Sequence, residues 1–368
     1  KNLFATLFLF DKSFYQGTGT IMIKPIQHRR CTLRDVARAA DVSLSTASNA
    51  LNGVGRVNAE TRERVLRVAT EIGFRPNALA RSLLSRRSLT IGIITDDTYG
   101  RLTLPISSGV SEVLVDHGVS AFLCATSGDK RLAELHLQAL LDKQVDGIIL
   151  TATRLDVDPP IDLTALNIPI VYAFAAGPPH STSFVPDDAH GAMLAIACLE
   201  EAGCRDILHI TGPETWLAAR HRAAAYRARC RPASPVMFGE WSEEWGHAAI
   251  EQVLATREKL PDGIFCGSDE IARGALDGLR DHGISVPDDV SVVGFDNWEV
   301  VSRQTRPPLT TIDMELKEIG HRAGLAMLRL TRNEPVDKGI IRLPCSLVRR
   351  ESVARRPDDG PIFLRSRD

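Results

Sequence analysis

The chain has 368 residues, 44% of them hydrophobic and 24% charged, with a formal net charge of −2. That length exceeds one ordinary domain, and no apolar run approaches the roughly eighteen residues of a spanning helix. Seven scattered cysteines (Cys31, Cys124, Cys198, Cys204, Cys230, Cys266 and Cys345) form no Cys-x-x-Cys pair, which speaks against zinc and for a reducing cytoplasm.

Charge is unevenly placed. Residues 28–88 hold twelve arginines against five acids, a balance of +7, which leaves −9 for the remainder. A basic front on an acidic body suits a polyanion bound at one end only, because phosphates attract the front and the body stays clear.

In chain order, residues 1–27 come first as an extension, disordered or not native. They lack the basic start, long apolar run and cleavage site of a secretory signal, and Met22 is the natural initiator. An arm or a tag scar is the alternative. In residues 28–75, Leu33, Val36, Ala37 and Ala40 fall on one face of a short helix, with Thr32 at its N-cap and Asp35 placed to complete a capping box. Asp41 and Val42 make a tight connection to a second helix capped by Ser43. Its Ala47 and Leu51 point inward, and Leu44, Ser45, Ser48 and Asn49 point outward. Two short helices so joined predict a helix-turn-helix, whose second helix offers its first side chains to major-groove base edges. A third helix over 59–72 is held by Val65, Leu66, Val68, Ala69 and Ile72, with Gly73 closing it. Residues 76–88 follow as a hinge helix and linker. Asn77 can cap it, and Leu83 is an apolar wedge for a minor-groove base step.

The runs TLRDVARAADVSLSTASNALNG, RVNAETRERV and GFRPNALARSL resemble the headpiece and hinge of the LacI/GalR regulators. By that resemblance Leu44, Ser45 and Asn49 read bases. Ser43, Thr46, Ser48 and Asn52 match positions that hold phosphates or the helix turn, Thr32 is a further DNA-binding candidate, and Leu83 enters the minor groove with Ala80 beside it. Of the base-reading trio only Asn49 can pair with an adenine in two-pronged fashion, so much of the specificity is expected from the bent centre of the site and from Leu44 against a thymine methyl.

Residues 89–356 alternate β-branched runs (90–95, 120–125, 147–150, 169–174, 206–211, 263–266 and 290–295) with helical stretches. The fold class expected is α/β: a small all-α helix-turn-helix head, a hinge helix, and a two-lobed body of parallel sheets, which the resemblance implies is periplasmic-binding-protein-like. The resemblance implies that the chain returns to the first lobe after 313, so that lobe 1 is about 89–186 and 313–335, lobe 2 about 187–312 and 336–356, and the tail 357–368. Open parallel sheets bind ligands beyond the carboxyl ends of their strands, which directs attention to Asp96, Asp97, Phe174 and Asp269.

The body runs GPETWLAARHRAAAY, FCGSDEIARGAL, GISVPDDVSVVGFDN and PPLTTIDMELKEIG are similar to the effector half of the same family, so the likeness covers about 31–356. It implies Arg222 and Asp269 as principal effector contacts, with Asp96, Phe174 and Trp241 as further ones. A carboxylate, a guanidinium fork and an aromatic face suit a sugar or sugar derivative. Two positions depart from the family: Ala225 replaces a usual glycine, and Gly100-Arg101 replaces a common Asn-Pro step. No cofactor or metal is expected. The tail lacks leucine heptads, which favours a homodimer on near-palindromic operator DNA over a tetramer. The function expected is an effector-controlled cytoplasmic repressor, working by population shift between lobe orientations. The alternatives are a solute-binding protein without a DNA role, and an enzyme using Asp269 with His209 or His221, for which no phosphate loop, nucleophile elbow or metal spacing is present.

Overall fold

The computed structural model describes residues 31–74, 87–157, 161–230 and 235–354, so Ala80, Leu83, Asn77, the extension and the tail lie outside the described residues. The chain divides into two units, 1–84 and 85–368.

The first unit contains helices α1 (Leu33–Ala39), α2 (Leu44–Asn52) and α3 (Ala59–Glu71). Each starts on a side-chain acceptor. Thr32 and Asp35 form the capping box of α1, Ser43 accepts from the Thr46 amide, and Asn58 accepts from the Thr61 amide at 2.7 Å. Val36, Ala37, Ala40, Ala47, Ala50, Val65 and Ala69 form the core. Leu66 is a correction: at 45% exposure it lies outside that core, because one residue of helix turns it about 100° away from Val65. Gly73 ends the helix with φ 66°, a left-handed conformation that costs glycine nothing.

In the second unit, the first sheet comprises β1 (Thr90–Thr95), β2 (Ser120–Ala125), β3 (Gly147–Thr151), β4 (Ile170–Ala173), β5 (Thr182–Pro186) and β11 (Gly339–Leu343), in the order β11-β5-β4-β3-β1-β2 and parallel throughout. The second comprises β6 (Ile207–Thr211), β7 (Val236–Phe238), β8 (Gly263–Cys266), β9 (Ser291–Asp296), β10 (Thr310–Asp313) and β12 (Ser346–Val348), ordered β12-β10-β9-β8-β6-β7. Edge strand β12 runs antiparallel to β10, an exception to the all-parallel expectation. Strand β11 also moves a lobe boundary. The sequence places the segment from 336 in lobe 2, yet Gly339–Leu343 pairs with β5 and completes the first sheet. The chain therefore passes between lobes three times, at 186–188, 313–316 and 343–346.

Helices α4 (Thr103–Val115), α5 (Lys130–Asp142) and α11 (Leu316–Leu330) flank the first sheet, and α6 (Asp188–Glu201), α7 (Leu217–Arg229), α8 (Glu243–Thr256), α9 (Asp269–Asp281) and the short α10 (Glu299–Ser302) flank the second. Each lobe owns one helix pair in backbone contact. A β-carbon at Gly109 or Gly320 would strike the Lys317 or Ile106 carbonyl, and one at Gly246 or Gly274 the Ile271 or Glu243 carbonyl. Branched residues fill both cores, continuous through Phe265, Phe295, Ile312 and Met314 where the lobes join. No helix of the described residues is long and apolar enough to cross a membrane.

Candidate functional site

On the head, α2 turns one face to solvent. Leu44 is 45% exposed and Ser45 and Asn52 are also exposed, with Ser48 and Asn49 half-buried behind them. The Ser43 hydroxyl lies 2.9 Å from that of Ser45 and 2.8 Å from that of Thr46, and Asn52 Nδ2 donates to the Ser48 hydroxyl at 3.3 Å. These short polar groups are prearranged by hydrogen bonds around the N-terminus of α2, which Ser43 caps. Thr32 is exposed at the start of α1.

In the body, the carboxyl ends of β1, β3, β6, β8 and β9 bring a polar cluster between the lobes. At its centre is Arg222, 4% exposed on the second turn of α7. Its Nε and Nη2 donate to Asp188 Oδ1 at 2.9 and 2.7 Å, and Nη1 donates to the Gly267 carbonyl at 2.5 Å. The guanidinium lies 3.6 Å from the Phe295 ring centroid and 5.7 Å from that of Trp241. Asp296, at the end of β9 with φ 112°, stands 3.9 Å from Arg222 Nη1. A non-glycine residue in so sparsely populated a conformation is held there by its surroundings. Burial pushes its carboxyl up, against the pull of Arg101 and Arg222.

Asp269 belongs to the interior. It is fully buried, its Oδ1 accepts from the Thr311 hydroxyl at 2.5 Å, and its Oδ2 accepts from the Trp298 amide at 2.7 Å. Burial first, then the nearby Asp296 charge, holds its carboxyl well above the usual range. One oxygen thus ties to strand β10 and the other to the turn after β9. Asp96 accepts from the Thr153 amide at 2.7 Å and from its hydroxyl at 3.2 Å, and burial raises its carboxyl. Asp97 caps the start of α4 through the Leu102 and Thr103 amides. Phe174, 7% exposed with φ 53°, packs into the first-lobe core. Trp241 is half-buried against Gly212 and edge-on to Trp216, with ring centroids 5.9 Å apart, and its buried indole N–H has no partner among the described residues.

Arg101 is the residue most easily missed. From the loop after β1 it crosses to the second lobe, where Nη1 pairs with Glu270 at 2.6 Å, Nη2 pairs with Asp296, and the guanidinium covers the Trp298 ring at 5.1 Å.

The sequence matches the model of the bacterial regulatory proteins of the lacI family over residues 32–77, and that of the periplasmic binding protein-like domain over 196–353. Catabolite control protein A of Priestia megaterium is 32% identical over 333 residues, covering 87% of this chain and 98% of that one. The ribose operon repressor of Haemophilus influenzae is 32% identical over 329 residues, covering 88% and 98%. The chain belongs to the LacI family. It is accordingly a DNA-binding transcriptional regulator, as the head and the two-lobed body lead one to expect. Among solved structures, the lac repressor dimer bound to operator and the anti-inducer ONPF superposes with a TM-score of 0.70 at 28% identity, covering 89% of this chain and all of that one. The CelR–cellobiose complex gives 0.62 at 28% identity, covering 88% and all of that chain.

Within this LacI-family body, the cluster joins Arg222 and Trp241, which the sequence names as effector contacts, to Asp188, Asp296 and Arg101, which it does not. A signal existed for Asp296, since it comes directly after the apolar run VSVVGF at a strand's carboxyl end, and its carboxylate faces the Arg222 guanidinium.

Proposed function

We propose that this protein is a repressor whose operator affinity is set by an uncharged polyol, a sugar or sugar derivative, held between the lobes of a homodimeric body. The observation that carries the reading is the Arg222–Asp296 pair. At 3.9 Å, Nη1 and the carboxylate are spaced so that one hydroxyl accepts from the first and donates to the second. Trp241 supplies an apolar face with a spare donor, and the family resemblance adds Asp96 and Phe174 on the first-lobe side. An anionic effector fits poorly, because three of the five Arg222 N–H bonds are already given to Asp188 and a carbonyl, and the carboxylates of Asp188 and Asp296 stand beside the guanidinium. A ribose operon repressor and a cellobiose complex among the relatives support a carbohydrate. Asp269, named from the resemblance, supports the site at one remove by anchoring Trp298.

At the DNA end, Leu44, Ser45 and Asn49 are proposed to meet base edges, and Thr32, Ser43, Thr46, Ser48 and Asn52 the phosphates, with Leu83 and Ala80 of the hinge in the minor groove. The domains proposed are a head over 28–75, a hinge over 76–88 and a body over 89–356, working in a reducing cytoplasm and without a catalytic role.

The test is thermal shift of the full chain with ribose, cellobiose and ribose 5-phosphate. A neutral sugar is expected to stabilise the wild type and to lose its effect in Asp296→Asn. A response confined to the phosphate, or one that survives Asp296→Asn, overturns the reading.

A further inference from the structure

Arg222 stands on helix α7, whose start is built differently from those around it. Asp187, Ser242 and Ser268 cap α6, α8 and α9 with their own side chains, whereas Trp216 at the N-cap of α7 offers no acceptor. The acceptor comes from the other lobe. Asp156, in the loop after β3, takes the Leu217 amide on Oδ2 at 3.0 Å and stands 3.6 Å from Arg220 Nη2 one turn further on. Arg154 in the same loop grips both oxygens of Asp156 at 3.2 Å. It also lays its guanidinium 4.5 Å from the Trp216 ring centroid and donates to the Thr215 carbonyl at 3.4 Å. The Asp156 side chain is 17% exposed. Although burial works the other way, the Arg154 contact and the Leu217 amide hold its carboxyl below the usual range.

An uncapped helix start leaves amides without partners and a partial positive charge, so its first turn frays. Here the cap exists only while the lobes are together, and the helix it seals is the one that presents Arg222. We infer that Asp156 is a positioning residue of the effector site, which sets Arg222 across the cleft by capping helix Leu217–Arg229 from the opposite lobe. Closure and ordering of the site are thereby one event: parting the lobes frees the first turn and loosens the guanidinium before any ligand leaves. This inference rests on the reading of the cleft as the effector site.

The test uses the full-length protein without ligand. In Asp156→Ala, amide exchange read by mass spectrometry on peptides covering 213–224 should quicken about five- to tenfold at the helix start, the range of a lost N-cap. Peptides covering α8, which keeps Ser242, should not change. Asp156→Asn retains a carbonyl acceptor and should restore most of the protection. The positioning role reads on the Arg222 Nε–H proton, which donates to Asp188 and is assigned by its loss in Arg222→Lys. Its exchange by NMR should quicken in Asp156→Ala and recover in Asp156→Asn. Unchanged exchange at Leu217 or at the Arg222 proton overturns the inference, as does a loss of protection spread evenly over both lobes. Because no ligand is added, failure here is separate from failure of any sugar to bind.

Discussion

Arg101 of the first lobe and Asp296 of the second share an ion pair, although 195 positions separate them in the chain. With Asp296 only 6% exposed, removing Arg101 leaves a carboxylate in a poorly hydrated place, and Glu270 loses its partner as well. Arg101→Gln is therefore expected to lower unfolding stability by about 1–3 kcal/mol, a value reduced from that of a fully buried pair because Arg101 is 22% exposed. Urea denaturation checks it, and the double variant Arg101→Gln/Glu270→Gln should recover part of the loss. Additive losses would show that the pair is not coupled.

On the DNA face, Asn49→Ala is expected to cost about 1–3 kcal/mol of discrimination at one base position and little affinity for random duplex. Leu83→Ala should weaken binding to a specific operator and leave the salt-sensitive binding to random duplex nearly intact. Gel shifts with operator and random fragments at two salt concentrations separate these outcomes. Equal loss on both fragments contradicts the assigned roles.

His209 makes a pH prediction. It is fully buried, stacked on Phe265 at 4.3 Å between ring centroids, and its Nδ1 donates to the Phe265 carbonyl at 2.9 Å. Burial lowers its pKa from 6.5 to about 3. Because the folded value is the lower one, the unfolded chain takes up a proton first as pH falls below 6.5. Stability is then lost at up to about 1.4 kcal/mol per unit, continuing to about pH 3, with no contribution above 6.5. Asp269 and Asp296, with raised values, work in the opposite sense. Comparing wild type with His209→Phe at pH 7 and pH 5 cancels them, and the wild type should lose about 2 kcal/mol more than the variant. Parallel losses would place the proton elsewhere.

Gly274→Ala should destabilise the second lobe by about 2–3 kcal/mol, because the added methyl meets the Glu243 carbonyl and helices α8 and α9 must part to admit it. Calorimetry reads the change. Gly283→Ala, with nothing within 4 Å of its added carbon, isolates the separate cost of a left-handed φ of 70°.

Much of this architecture was legible because periodicity and capping act locally. Thr32 and Ser43 announce their helices, and the runs around Ile93, Ile149, Phe265 and Val293 are apolar enough to be buried strands. The short strands were not legible: β5 ends on Pro186, β7 and β12 have three residues each, and β11 is half exposed, so their pairing comes from tertiary context that no window contains. The cleft divides in the same way. Arg222 stands in a recognisable run, but that Asp269 spends both oxygens internally while Asp296 faces the guanidinium is decided by the packing of Thr311, Trp298 and Arg101 from distant parts of the chain.

The threefold passage of the backbone between lobes has a consequence for synthesis. Neither sheet has all its described strands until residues 339–348 leave the ribosome, since β11 finishes one border and β12 the other. A product stopped at about residue 335 would expose the flanks of β5 and β10, both open to adhesion with a neighbouring copy. Late nonsense mutations should therefore yield clumped, degraded protein in place of a shortened regulator, although the DNA-reading head is encoded first and intact.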